Sequence, residues 1–170
     1  SKDDRGIYQG STYITLMSNA ILNKSLGMAR DLLPNAKADR KTKNKFFHFC
    51  FGFHKNKLIS IGQNNTDKTH TRCYRMRKRF GLDAEYPFIH AEVDMLSKLW
   101  GKVYIDNRLK VVVIRLNKHG ELRNSKPCCR CSQILAALNI NKVWWSTDYG
   151  FEKQSKRNAD LPSGCDGSCT

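Results

Sequence analysis

Long apolar runs are missing from these 170 residues. The longest, such as the stretch from Val111 to Ile114, are far too short to span a bilayer, which argues against a transmembrane helix. No apolar block follows the charged start at Ser1 to Gly6, so no signal peptide is read, and an intracellular protein, cytoplasmic or nuclear and not secreted, is expected. Acidic residues are also scarce: 15 Asp plus Glu face 30 Lys plus Arg, a net charge of +15. Small soluble domains usually carry a net charge of about 2–8 in magnitude, so this excess exceeds what solubility needs. It points to a polyanionic partner, nucleic acid before anionic membrane, and single-stranded DNA or RNA is the expectation.

The cysteines lack a pairing scheme. Seven is an odd number, and three of them crowd into Cys128, Cys129 and Cys131, where neighbours do not pair in ordinary disulfide geometry. Reduced thiols with a metal among them fit an intracellular chain better than a disulfide framework. What is present, 40% hydrophobic and 10% aromatic residues, is a globular composition. A chain of this length buries about two-thirds of its unfolded surface in one core, so a single domain is expected over residues 1–153, with an irregular tail over 154–170.

Apolar spacings of three and four predict a helix from Tyr13 to Leu33, with Ile14, Met17, Ile21, Ser25, Met28 and Leu32 on its inner face and Pro34 as its end. Phe46 to Phe53 alternates with the two-residue period of a strand, His54 to Lys57 reads as a turn, and Leu58 to Gly62 pairs back as a hairpin. Residues 63–87 read as a long basic insertion, partly helical, carrying Lys68, His70, Arg72, Arg75, Arg77, Lys78 and Arg79 with Tyr74 and Phe80. Ala91 to Trp100 reads as a helix with Val93, Leu96 and Trp100 inward and Asp94 four before Lys98. A buried strand from Lys110 to Leu116, a helix from Cys128 to Leu138 and a strand from Lys142 to Thr147 complete the order. Such alternation implies a mixed sheet covered by helices, an α/β class.

Two segments carry chemistry, and each stands where a helix should begin: His90-Ala91-Glu92 and Pro127-Cys128-Cys129-Arg130-Cys131. One imidazole and two thiols three residues apart form a three-ligand zinc set, with the fourth position left for water. Zinc lowers the pKa of such a water to about 7, which makes hydroxide available at neutral pH. Glu92, two residues past His90, is placed to shuttle its proton. A structural site using His90 and all three cysteines would leave Glu92 idle and would need Cys129 on a face it does not share. Cys165 and Cys169 could join Cys73 or His70 at a second metal, though free surface thiols are the plainer reading. His48 is read as a packed or edge residue of the first strand and His54 as a turn residue.

The pattern His-x-Glu…Pro-Cys-x-x-Cys is the signature of zinc nucleobase deaminases, and the chain resembles the cytidine and deoxycytidylate deaminase superfamily from about Lys45 to Asp148. The resemblance implies a three-layer α/β/α sandwich with a mixed five-stranded sheet. It implies His90, Cys128 and Cys131 on Zn(2+), Glu92 as acid and base, Asn64 on the sugar hydroxyls and the Ala91 N–H on the pyrimidine O2. Trp144 and Trp145 are adjacent on a strand and so point to opposite faces, which leaves one of them, taken as Trp145, for the mouth of the site. Tyr149 in the following loop would stack on the base or its neighbour. Two substrate classes follow. Cytosine in a single-stranded polynucleotide would use Lys68, Arg72, Arg75, Arg77, Lys78 and Arg79 as a phosphate track, whereas free cytidine or deoxycytidylate would need only one or two cations. An adenosine deaminase acting on transfer RNA shares the zinc set but has no positive signature here. The charge favours the polynucleotide.

Overall fold

The computed structural model describes residues 12–39, 46–65, 70–81, 89–102 and 105–155, with side chains from residue 19 onward. Lys68, Cys165 and Cys169 lie outside these residues. The chain runs α1 (Thr12–Ala38), β1 (Phe46–His54), β2 (Lys57–Gln63), α2 (Thr71–Arg79), α3 (Ala91–Leu99) and β3 (Leu109–Asn117). It continues through β4 (Leu122–Arg123), α4 (Cys129–Ala137), β5 (Lys142–Thr147) and β6 (Gly150–Lys153). The strands form one mixed sheet in the order β2-β1-β3-β5-β6, with β4 paired to β3. β3 and β5 run parallel and the other pairs antiparallel.

Strand alternation sorts the side chains into two layers. Phe47, Phe49, Phe51 and Phe53 of β1 join Val112, Ile114, Leu116 and Trp144 under α1. On the other face Cys50, Val111, Val113, Val143 and Trp145 pack against Met95 and Leu96 of α3 and Ile134 and Leu135 of α4. Each buried phenylalanine contributes about 1.5–3 kcal/mol of transfer free energy. The result is the expected three-layer sandwich, helices on both faces of the sheet, and the two tryptophans part as adjacency on a strand requires.

The β1–β2 turn is two residues long, with Lys55 at φ 49° and Asn56 at φ 63°. Both left-handed values mark the type I′ turn, whose twist matches the flanking strands. Gly62 lets β2 touch α3 through backbone. A Cβ there would run into the Ala91 carbonyl oxygen and the Met95 nitrogen, so any side chain would push α3 off the sheet and shift its first turn.

Four details differ from the sequence expectations. Pro34 does not end the first helix; it lies exposed within α1, and the helix runs on to place Ala36, 1% exposed, in the core. Packing of that last turn outweighs the lost N–H. Among the described side chains the inner face of α1 is Ile21, Leu22, Ser25, Ala29, Leu33 and Ala36, so Met28 and Leu32 sit at its margin, half-buried, while the side chains of Ile14 and Met17 lie outside those described. Trp100 leaves the helix at φ −57°, ψ 122° and is 38% exposed rather than inward, with Phe80 edge-on and the Arg79 guanidinium 5.0 Å above its ring. The basic insertion is partly helical as expected, holding α2, but β4 and β6 are additional strands, β6 returning antiparallel to β5.

Candidate metal centre

Cys128 and His90 are the N-cap residues of α4 and α3, both in extended conformation and neither spending its side chain on a cap hydrogen bond. One turn into α4, Cys131 comes round to the same side. The Sγ atoms of Cys128 and Cys131 lie 3.6 and 3.5 Å from His90 Nδ1, and all three donor atoms fall within 4.8 Å of one another. Two thiols and an imidazole are the donor set zinc prefers, and three of them leave an open position, the mark of a catalytic site. The residues therefore fit the ion. Cys129 stands outside the cluster and is disulfide-bonded, so the described thiols are not all reduced as expected.

Electrostatics favour a metal-ready thiolate. A hydrogen bond from Cys131, with His90 beside it and burial opposing, takes the Cys128 thiol down to about 3. The reciprocal hydrogen bond to Cys128, together with burial, pushes Cys131 well up. His90 is raised, first by its hydrogen bond with Cys128. Both donors at helix N-termini also meet the positive end of the helix dipole.

Glu92 lies in the first turn of α3 and is only 5% exposed. Burial raises its carboxyl above the ordinary range, against the lowering pull of His90 and a hydrogen bond from Cys131. A raised carboxyl beside a metal site is suited to both accepting and returning a proton.

The framework under this centre is a set of polar nodes, of which the Asp94–Lys98 pair alone has a sequence signature. Asp94 receives Arg72 Nη2 at 2.8 Å, Lys98 Nζ at 2.8 Å and the Gln63 N–H at 3.0 Å, joining α2, α3 and the end of β2. Its link to Lys98 is the expected pair at a spacing of four. On the α4 side, Ser125 Oγ donates to the Val113 carbonyl at 2.8 Å and lies 2.8 Å from Ser146 Oγ, while Ser146 Oγ donates to the Arg123 carbonyl at 2.7 Å. These bonds pin residues 123–127 across the ends of β3 and β5, and so fix where Cys128 starts its helix.

Burial pulls the Asp94 carboxyl up, but the hydrogen bonds from Lys98, Arg72 and Gln63 outweigh it and hold the group below the usual carboxylate range. A depressed folded-state value contributes stability above the unfolded pKa of about 3.9, which is lost as pH falls through the folded value. Asp94→Asn is expected to lower stability by about 1–2 kcal/mol at neutral pH, discounted because Arg72 and Lys98 are 42% and 41% exposed. Urea unfolding should show this gap closing as pH falls below the ordinary carboxylate range.

The remaining candidate residues are placed as follows. Ala91, 1% exposed, opens α3. The Asn64 Oδ1 accepts from the His48 N–H at 3.0 Å, extending the β1–β2 pairing. With Asn65, His70, Arg72 and Ile89 it lines a polar cavity of about 200 Å³. Trp145 is on the face of the metal cluster but 6% exposed, and its Nε1 donates to Glu152 at 3.1 Å. Tyr149, at the β5–β6 turn, is fully exposed. Cys73, proposed for a second metal, is buried with its Sγ 3.4 Å from Ser97 Oγ. Along α2, Arg72, Arg75, Lys78 and Arg79 are exposed, while Arg77 is turned inward at 8%. Sequence reasoning missed Phe46, which at 38% exposure lies under the Arg115 guanidinium, 3.8 Å from the ring centroid, at the same end of the sheet.

No protein-family model matches the chain, and no curated protein matches it. Solved structures do. The chain is similar to the cytidine deaminase from Mycobacterium leprae at 21% identity, over 88% of this chain and 98% of that one, with a TM-score of 0.45. It is similar to the dCMP deaminase from the cyanophage S-TIM5 at 17% identity, over 74% and 82%, with a TM-score of 0.46. It is similar to the cytidine deaminase from Mycobacterium tuberculosis at 17% identity, over 82% and 97%, with a TM-score of 0.45. At these identities and TM-scores the chemistry of the site rests on the chain's own residues.

Proposed function

We propose that this chain is a zinc-dependent hydrolase that converts cytosine and water into uracil and ammonia, with a single-stranded polynucleotide as substrate. The observation that supports the chemistry is the convergence of His90, Cys128 and Cys131 with the buried carboxyl of Glu92 against them. Bound to those three donors, zinc supplies a Lewis acid that lowers the pKa of a water from about 15.7 to about 7. Glu92 takes one proton of the attacking water and delivers it to the ring nitrogen N3, then takes the second from the new C4 hydroxyl and hands it to the exocyclic amine, which leaves as ammonia as the C4 carbonyl forms. The Ala91 N–H, at the positive end of α3, is the donor for the pyrimidine O2. The cavity lined by Asn64 is the candidate for the sugar.

The net charge of +15 supports the polynucleotide, as do Arg75, Lys78 and Arg79 on the solvent side of α2 with the 37% exposed Tyr74 beside them. Tyr149 offers a stacking surface at the end of the sheet where the metal cluster lies. One observation favours a second reading. Arg77 is buried and acts electrostatically on His90, and a single inward cation would suffice for the 5′-phosphate of free deoxycytidylate.

Salt dependence separates the two. With an oligonucleotide containing one cytosine, log affinity should fall with log salt by about 0.7 per phosphate neutralised, and Arg75→Ala with Lys78→Ala should flatten that slope by about 1.4. Free-cytidine turnover should stay unchanged in the double variant. Deamination of deoxycytidylate but of no oligonucleotide, abolished by Arg77→Ala, would replace the polynucleotide reading by the second one.

A further inference from the structure

The face of the sheet that carries α1 holds a second cluster of positive charge, at the end away from the metal centre. Lys110 of β3 and Lys142 of β5 are direct partners in the parallel register, about 5 Å apart across neighbouring strands. Lys153 of β6 is the partner of Trp144, two residues along the same face, and its Nζ lies 5.1 Å over the Trp144 ring. The exposed Lys55 and Lys57 of the β1–β2 turn lie at this same end, since Lys57 pairs with His54 and His54 with Leu109.

Like charges placed directly opposite on a sheet are destabilising, and nothing among the described residues neutralises them. Lys110 Nζ donates to Asn56 Oδ1, a neutral amide, at 2.6 Å. Its pKa is lowered first by burial and then by Lys142 and Lys153, with no carboxylate acting in return. The nearby acids are engaged elsewhere: Asp106 is bonded to Arg108 at 2.7 Å, and Glu152 points to the opposite face, where it holds Trp145. The fold thus carries an uncompensated triangle of ammonium groups on rigid strands, a geometry suited to an anion with several charged oxygens.

We infer that the Lys110–Lys142–Lys153 face is a second phosphate-binding surface, which takes the backbone of a nucleic acid outside the deamination site. A membrane surface is the weaker occupant. The exposed large apolar side chains among the described residues are Phe46, Tyr74, Trp100 and Tyr149, and none belongs to this patch, so it offers no group to enter the apolar layer. A polyanion held by charge alone matches the face and the +15 of the chain. The inference goes beyond the deamination reading and does not require it.

The test uses the full chain and a fluorescent, cytosine-free polythymidylate, so that binding is read apart from turnover. In the variant Lys110→Gln, Lys142→Gln, Lys153→Gln the slope of log affinity against log salt should fall by about 2 from the parent value. The matching three-arginine variant should keep the parent slope, and thermal melting of the glutamine variant should be no lower, since mutual repulsion has been removed. Free-cytidine turnover should be the same in all three proteins. An unchanged slope in the glutamine variant would overturn the inference. So would loss of binding to phosphatidylserine vesicles with polythymidylate binding intact, which assigns the face to a membrane. Should the parent deaminate no oligonucleotide while the slope still falls, the substrate proposal fails and this surface stands.

Discussion

Glu92→Gln is expected to abolish turnover while leaving fold and metal in place. The side chain is almost fully buried against the ligand cluster, and the amide has the shape of the carboxylate, so packing is preserved. The amide neither accepts the water proton nor returns one to the leaving amine. A general acid–base group typically contributes about 10²–10⁴-fold, and one that serves two transfers belongs at the upper end or beyond. Stability should move the other way. Burial raises the folded-state pKa of Glu92, so its contribution is present below the unfolded value of about 4.3 and is lost as pH rises through the folded one. In the metal-free protein at neutral pH the variant should therefore melt no lower than the parent. Rates near the parent's, with zinc content unchanged, would remove Glu92 from the mechanism.

Removal of a ligand should have the second large effect. The parent is expected to hold one zinc per chain, and Cys131→Ala or His90→Ala to hold none after dialysis. Loss of one of three protein donors removes most of the binding free energy, and that energy is also folding energy. Thiol labelling reads the same centre independently. Cys128 is half-buried, whereas Cys50, Cys73 and Cys131 are buried. Iodoacetamide should therefore modify Cys128 before Cys50, Cys73 and Cys131 in the metal-free protein and spare it in the zinc-loaded one, as mapped by peptide mass spectrometry. Equal labelling of Cys128 with and without zinc would place the metal elsewhere.

The convergence of His90, Cys128 and Cys131 was legible because zinc chemistry constrains residue type and helical spacing together, and both constraints are local in sequence. The sandwich was legible for a similar reason: the phenylalanines of β1 and the valines of β3 alternate or cluster as a buried sheet demands. Residues whose role depends on tertiary context were not. Pro34 sits in α1 because Ala36 is packed beyond it, which no local rule reports. Trp100 has the spacing of a core residue, yet the backbone turns at that position and swings it outward. Arg72, Arg75, Arg77, Lys78 and Arg79 read as one basic stretch, but α2 distributes them around a helix. Arg72 is thereby given to Asp94 and Arg77 to the interior. The Ser125–Ser146 node joins residues 21 apart, and serine carries no signature of such a pairing.

Ammonia release tests the central claim most directly. Purified protein with one equivalent of zinc would be incubated separately with free cytidine, free deoxycytidylate and a single-stranded oligonucleotide containing one cytosine. Uracil and ammonia should form in equal amounts from the oligonucleotide, and in neither the metal-free protein nor the Glu92→Gln variant. Absence of uracil from all three substrates, with the zinc bound at His90, Cys128 and Cys131, would contradict it.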